Sequence, residues 1–111
     1  MRKGDMSFGV FTEVYRARAR CHANFTVDCF IMLLKEYLIL RVRREKGKIM
    51  CIKLKQLKRF GGLHGYTEEH FRRFNTIWSD VVNESFKPAI VGRKEGAICF
   101  DVEKLAELLA L

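Results

Sequence analysis

Between Tyr66 and Asn83 the chain reads YTEEHFRRFNTIWSDVVN, and its large apolar residues keep the period of an α-helix. Phe71, Phe74, Trp78, Val81 and Val82 recur at i, i+3, i+7, i+10 and i+11, so one helical face collects them all. Thr67 is an N-cap residue type, and Glu68 and Glu69 suit the positive end of a helix dipole. At about 100° per residue the opposite face carries Arg72, Arg73, Thr76, Ser79, Asp80 and Asn83. That face lacks large apolar groups and offers guanidinium, hydroxyl and amide groups, the types that read base edges and hold phosphates. A solvated surface helix would carry the same residues. The spacing predicts one helix over 67–83, and the rest of the chain must cover its apolar stripe.

The 111 residues are enough for one domain with a modest core, and an apolar content of 49% sets the chain apart from disordered ones. No apolar run approaches the roughly 20 residues of a membrane span; the most apolar stretch, 25–40, is broken by Asp28, Lys35 and Glu36. The start, MRKGDMSFG, has no apolar signal core, so a cytoplasmic protein is expected, nucleoid-associated if the source is prokaryotic or archaeal. The formal net charge is +8, and it is concentrated. Residues 35–59 hold ten Lys or Arg against two Glu, whereas the remainder holds eleven of each sign. Such a block suggests a polyanion, most simply nucleic acid and next an anionic membrane surface; it also serves as a solvated face.

Four cysteines, Cys21, Cys29, Cys51 and Cys99, form no C-x-x-C pair and no zinc spacing with His22, His64 and His70, so neither metal nor cofactor is expected. Cys29, Cys51 and Cys99 lie among apolar neighbours and read as small core residues. A single Gln against many Lys, Arg and Glu leans toward a heat-adapted source, in which an intracellular disulfide is conceivable. There is no G-x-S-x-G, phosphate-cradling glycine loop or H-E-x-x-H. Cys21 and His22 are helical neighbours that do not face each other. No enzymatic activity and no small-molecule substrate are expected. His64 and His70 read as turn and boundary residues, and Trp78 as core.

In chain order, 1–6 reads as a loose basic tail and 7–21 as a helix capped by Ser7, with Phe8, Phe11 and Tyr15 on one side. This N-terminal portion, 1–23, could dock on the main domain, pair with a second copy or lie along DNA as an arm. A second helix, capped by Asn24 or Thr26, carries Val27, Phe30, Ile31, Leu34, Tyr37 and Leu38 as its stripe. Its apolar surface is wide enough for more than one neighbour. It is expected to end near residue 41, although 38–43 also alternates like a strand. Gly47 falls in the following turn, and 49–53 is a short strand. Residues 54–60 form a short helix that Gly61 and Gly62 should stop, with Leu63 as an apolar plug. After Asn83 the period becomes 2: a strand from Phe86, a turn over 92–96 and a strand over 97–102 make a hairpin with a basic tip, whose first strand Pro88 delays or confines to an edge. Asp101 can cap a last helix over 102–111, with Leu105, Leu108 and Leu109 inward.

From Asn24 onward the order is helix, short strand, short helix, turn, amphipathic helix, hairpin. Together with the segment IKLKQLKRFGGLHGYTEEHFRRFNTIW, this order resembles the winged helix-turn-helix family over roughly 24–102. The implied fold is mainly α with a small β-sheet (α+β), a winged helix over 24–111 with an extra N-terminal helix. In that family the helix after the turn enters the DNA major groove. The resemblance implies Arg72, Arg73, Thr76 and Ser79 nearest the bases, Arg93 and Lys94 at the wing on phosphate or in the minor groove, and Lys55, Lys58 and Arg59 on backbone phosphates. The expected function is double-stranded DNA binding by a homodimer, as a transcriptional regulator or chromosome-associated factor, without membrane association. Two other readings stay open: a winged-helix docking module of a replication, transcription or RNA-processing assembly, and a single-stranded nucleic-acid binder.

Overall fold

The computed structural model describes residues 16–111. The tail over 1–6 and most of the helix expected over 7–21 lie outside the described residues; 16–23 are helical and form α1. Then follow α2 (Val27–Arg44), β1 (Ile49–Ile52), α3 (Leu54–Leu63), α4 (Glu68–Phe71), α5 (Phe74–Phe86), a 3-10 turn (Lys87–Ala89), β2 (Ile90–Lys94), β3 (Ala97–Asp101) and α6 (Val102–Leu108). The described residues are mainly helical with a small antiparallel sheet in the order β1-β3-β2, an α+β architecture. None of their helices is long and apolar enough to cross a membrane.

The central helix is α2. The Thr26 hydroxyl caps it by accepting from the Cys29 backbone N–H at 3.2 Å. Phe30, Leu33, Leu34, Tyr37 and Leu38 are buried, and the helix packs against α3, α5 and α6. Three neighbours account for an apolar surface wider than one stripe. It runs to Arg44, three residues beyond the expected end, which excludes a strand over 38–43. Arg41, Arg43 and Arg44 in its last turn suit the negative end of the dipole. Arg41 also points inward, donating to the Tyr37 hydroxyl at 2.7 Å and to the Cys51 carbonyl at 3.2 Å, and so ties α2 to β1.

The glycine pair expected to stop α3 lies inside it. Gly61 is there for space: a Cβ on it would stand 2.6 Å from Cζ of Phe71 and 3.2 Å from Leu33. The reversal is made at Gly65, with φ +86°. Leu63, expected as a plug, is 82% exposed; Tyr66 is the buried residue of this turn. Its hydroxyl has no hydrogen-bond partner among the described residues. Burial raises the Tyr66 pKa above the ordinary 10.0, with nearby Arg18 pulling it down and Glu36 pushing it up.

The helix expected over 67–83 is divided into α4 and α5. Arg72 and Arg73 keep helical dihedrals. However, the N–H of Arg72 bonds to the Glu69 carbonyl (3.3 Å) and that of Asn75 to the Arg72 carbonyl (3.4 Å), so i→i−3 bonds interrupt the i→i−4 ladder. The tightened turn lets Phe71 reach Gly61 while Phe74 stacks on Phe30, with ring centroids 4.5 Å apart. The apolar stripe itself is as expected. Phe71, Phe74, Val81 and Val82 are buried, and Trp78 packs half-buried against the core. α5 continues to Phe86, and the 3-10 turn accommodates Pro88, so the first hairpin strand begins at Ile90 and not at Phe86.

The hairpin turn is shorter than expected: only Glu95 (φ +50°) and Gly96 (φ +79°) make it, the positive-φ pair of a two-residue loop. Val91 is the extra residue of a bulge between the Ile90–Phe100 and Gly92–Cys99 pairs. β3 is the central strand, and Ala97 to Phe100 are all buried. The Asp101 carboxylate caps α6, accepting from the Lys104 N–H at 3.0 Å. α6 stops at Leu108, which is exposed, so of the expected inward leucines only Leu105 is fully buried. The cysteines are not free core residues: they form two disulfides, Cys21–Cys29 and Cys51–Cys99. The first joins the end of α1 to the start of α2. The second spans β1 and β3, whose register sets the two residues opposite each other.

Gly61→Ala should destabilise the protein by about 1–3 kcal/mol in a denaturant titration, because the buried Phe71 ring has nowhere to move. Gly62→Ala, which meets nothing within 4 Å, should stabilise it by up to about 1 kcal/mol through helix propensity. Tyr66→Phe should gain about 1 kcal/mol by removing an unpaired buried hydroxyl. Because the folded-state pKa of Tyr66 is raised, its contribution is full below 10.0 and is lost as pH rises through the folded value. The wild type should therefore lose more stability above pH 10 than Tyr66→Phe does. Replacing Cys51 and Cys99 by Ser opens a loop of 48 residues and should cost about 4 kcal/mol at most.

Candidate nucleic-acid interface

Each cation expected to meet nucleic acid sits on one of three elements. On α3, Lys55 and Arg59 are exposed, while Lys58 is half-buried and paired with Glu68 at 3.1 Å. At the α4–α5 bend, Arg72 and Arg73 are exposed, and Thr76 and half-buried Ser79 follow along α5. Arg72 pairs with Glu69 at 2.7 Å, and the Arg73 guanidinium lies over the Phe74 ring, 5.0 Å from its centroid. At the end of β2, Arg93 and Lys94 are exposed. Phe71 and Phe74 are inward-facing on either side of the bend, so the two intervening arginines are turned out.

Sheet register brings two of these groups together. Arg93 lies opposite Ile98, and Ile98 lies opposite Ile52. Two strand spacings thus separate Arg93 from the strand that feeds α3, about 10 Å. Lys53, the exposed N-cap residue of α3, and Lys55 in its first turn therefore share a neighbourhood with the hairpin tip. Nothing in the local sequence distinguishes Lys53 from its neighbours; the pairing of β1 with the hairpin gives it its place. The bend cations lie at the other end of α3, where Gly61 meets Phe71. The ten residues of α3 span about 15 Å, so the cations form two clusters with Arg59 between them.

Exposed ion pairs such as Arg72–Glu69 and the partly exposed Lys58–Glu68 are worth less than about 1 kcal/mol each, and a phosphate can displace them. Arg93, Lys94, Lys55, Arg59 and Arg73 make no ion pair among the described residues.

The α3–α4 turn that leads to the bend is held by α1. Arg18 donates to both carboxylate oxygens of Glu36 at 3.1 Å and lies 2.6 Å from Nδ1 of His64. His22 donates from Nε2 to the His64 carbonyl at 2.8 Å, and its ring stacks on Tyr66 with centroids 4.4 Å apart. His70 accepts the Thr67 N–H at Nδ1 (2.9 Å), closing the first turn of α4. Its Nε2 donates to the His22 carbonyl, also at 2.9 Å. These assignments fix the Nε2–H tautomer of His70. All three histidines are thus linkers between α1 and the α3–α4 turn, roles that their sequence positions did not signal.

No protein-family model matches this chain, no curated protein is significantly similar to it, and no solved structure matches it significantly.

Proposed function

We propose that the protein binds double-stranded DNA in the manner of a winged helix, serving as a transcriptional regulator or chromosome-associated factor. The α4–α5 segment enters the major groove, and the hairpin β2–β3 acts as the wing on the flanking backbone. The observation that carries this reading is the register of the sheet, which groups Arg93 and Lys94 with the lysines that open α3. The element order α2, β1, α3, α4–α5, β2, β3 and the return of β1 onto the hairpin suit the same reading. The span of about 15 Å along α3 corresponds to about four base-pair steps of 3.4 Å.

Within this reading the roles divide. Lys55, Lys58, Arg59, Arg93 and Lys94 neutralise phosphates and set affinity, while Arg72, Arg73, Thr76 and Ser79 face base edges and set preference. Arg73 is the better choice for a guanine contact, because Arg72 must first leave Glu69. A pair of copies acting on two half-sites supplies the specificity that one short helix lacks.

Fluorescence anisotropy with duplex DNA across a salt series tests the proposal. If Lys55, Lys58, Arg59, Arg93 and Lys94 each neutralise one phosphate, log K should fall with log salt at a slope of about −4.5. Arg93→Ala with Lys94→Ala should flatten that slope by about 2 and weaken all sequences alike. Arg73→Ala should cost about 1–3 kcal/mol and relax sequence preference. Duplex affinity unchanged by both variants would overturn the reading and direct attention to a protein partner.

A further inference from the structure

A groove of about 470 Å³ opens between the α1–α2 junction and α4, beside the helix bend. Its size lies within the roughly 300–1,000 Å³ of sites for small ligands. His22 and Phe25 contribute rings to its lining, Asn24 an amide, and Arg72 and Arg73 guanidinium groups. Rings for a base, an amide for its edge and cations for its phosphate are the components of a nucleotide site. The His22 ring is exposed yet held in place by its stacking on Tyr66 and its bond to the His64 carbonyl. The Asn24 side chain makes no hydrogen bond among the described residues, and Arg73 no ion pair among them. Glu69 also lines the groove, but its partner there is Arg72, through an exposed pair that a phosphate can replace.

We propose that this groove binds one nucleotide with its base unstacked. The base lies against the His22 ring, the Asn24 amide reads its edge, and the phosphate sits on Arg72 and Arg73. Asparagine pairs most completely with adenine, through its N6 and N7 positions. The same chemistry is offered by a free nucleoside monophosphate and by the unpaired end of a strand whose duplex occupies the neighbouring cationic face.

The test has two arms, both with the full chain. In the first, NMR follows the His22 ring and Asn24 side-chain signals during titration with adenosine monophosphate, to about 10 mM so that weak binding is seen, and in parallel with inorganic phosphate. The nucleotide should shift both signals and phosphate alone should not, and Asn24→Ala should weaken nucleotide binding on the order of tenfold. In the second arm, anisotropy compares a blunt duplex with the same duplex bearing a short single-stranded overhang. A tenfold preference for the overhang, cancelled by Asn24→Ala while blunt-duplex affinity stays unchanged, assigns the site to a strand end. Nucleotide shifts without overhang preference assign it to a free nucleotide. Neither shifts nor preference, or effects that survive both Asn24→Ala and His22→Ala, would overturn the proposal. The nucleotide titration involves no duplex, and Asn24→Ala and His22→Ala leave Arg73, Arg93 and Lys94 intact, so its outcome is separable from that of the duplex experiment.

Discussion

What the α4–α5 segment presents to solvent depends on the contact of Phe71 with Gly61. A helix residue without a Cβ lets α3 receive an aromatic ring at van der Waals distance. Once seated, Phe71 packs with Phe25 (centroids 5.3 Å), and Phe25 with Phe74 (5.5 Å) and Tyr66 (4.9 Å). The two edge-on pairs, Phe25 with Phe71 and with Phe74, contribute about 0.5–1.5 kcal/mol each beyond their buried area. The interruption of the helix at Arg72 and Arg73 follows from this packing, since two phenylalanines three residues apart must meet different partners, one on α3 and one on α2. The outward turn of the two arginines is the other side of the same constraint.

The second organising feature is covalent and polar bracing at both ends of α2. At its start the Cys21–Cys29 disulfide, and at its middle the Arg18–Glu36 ion pair, hold α1 in place. The histidine hydrogen bonds carry that hold on to the α3–α4 turn. At the far end, Arg41 reaches β1, and Cys51–Cys99 joins β1 to the hairpin. The strand that leads into α3 is therefore fixed to the hairpin, beside which the first α3 lysines lie.

The charge block of 35–59 takes on a different meaning in three dimensions. β1 divides it. Arg43, Arg44, Lys46 and Lys48 precede the strand, and Lys53, Lys55, Lys58 and Arg59 follow it. Four residues of strand separate the two halves by about 13 Å, and Arg41 is spent on internal hydrogen bonds. Only the second half joins the hairpin tip. A continuous run of cations in the chain is thus not one patch, and two residues far along the chain, Arg93 and Lys94, complete the cluster nearest α3.

Periodicity determined a good deal by itself. The buried stripe from Phe71 to Val82, the core side of α2, the short strand at Ile49, the hairpin and the caps at Thr26 and Asp101 are all local consequences of residue type and spacing, and the folded chain keeps them. The tertiary structure decided what local spacing cannot encode. Whether Gly61 ends a helix or makes room for a ring depends on Phe71, ten residues away. Whether Leu63 or Tyr66 fills the turn depends on where α1 docks. The two cysteine pairings depend on strand register and on the return of α1 to α2, and the break at Arg72–Arg73 depends on two separate packing partners. Each of these is set by contacts between distant residues, and α-helical hydrogen bonding is nearly indifferent to them, so a single chain's pattern reads the same in either case.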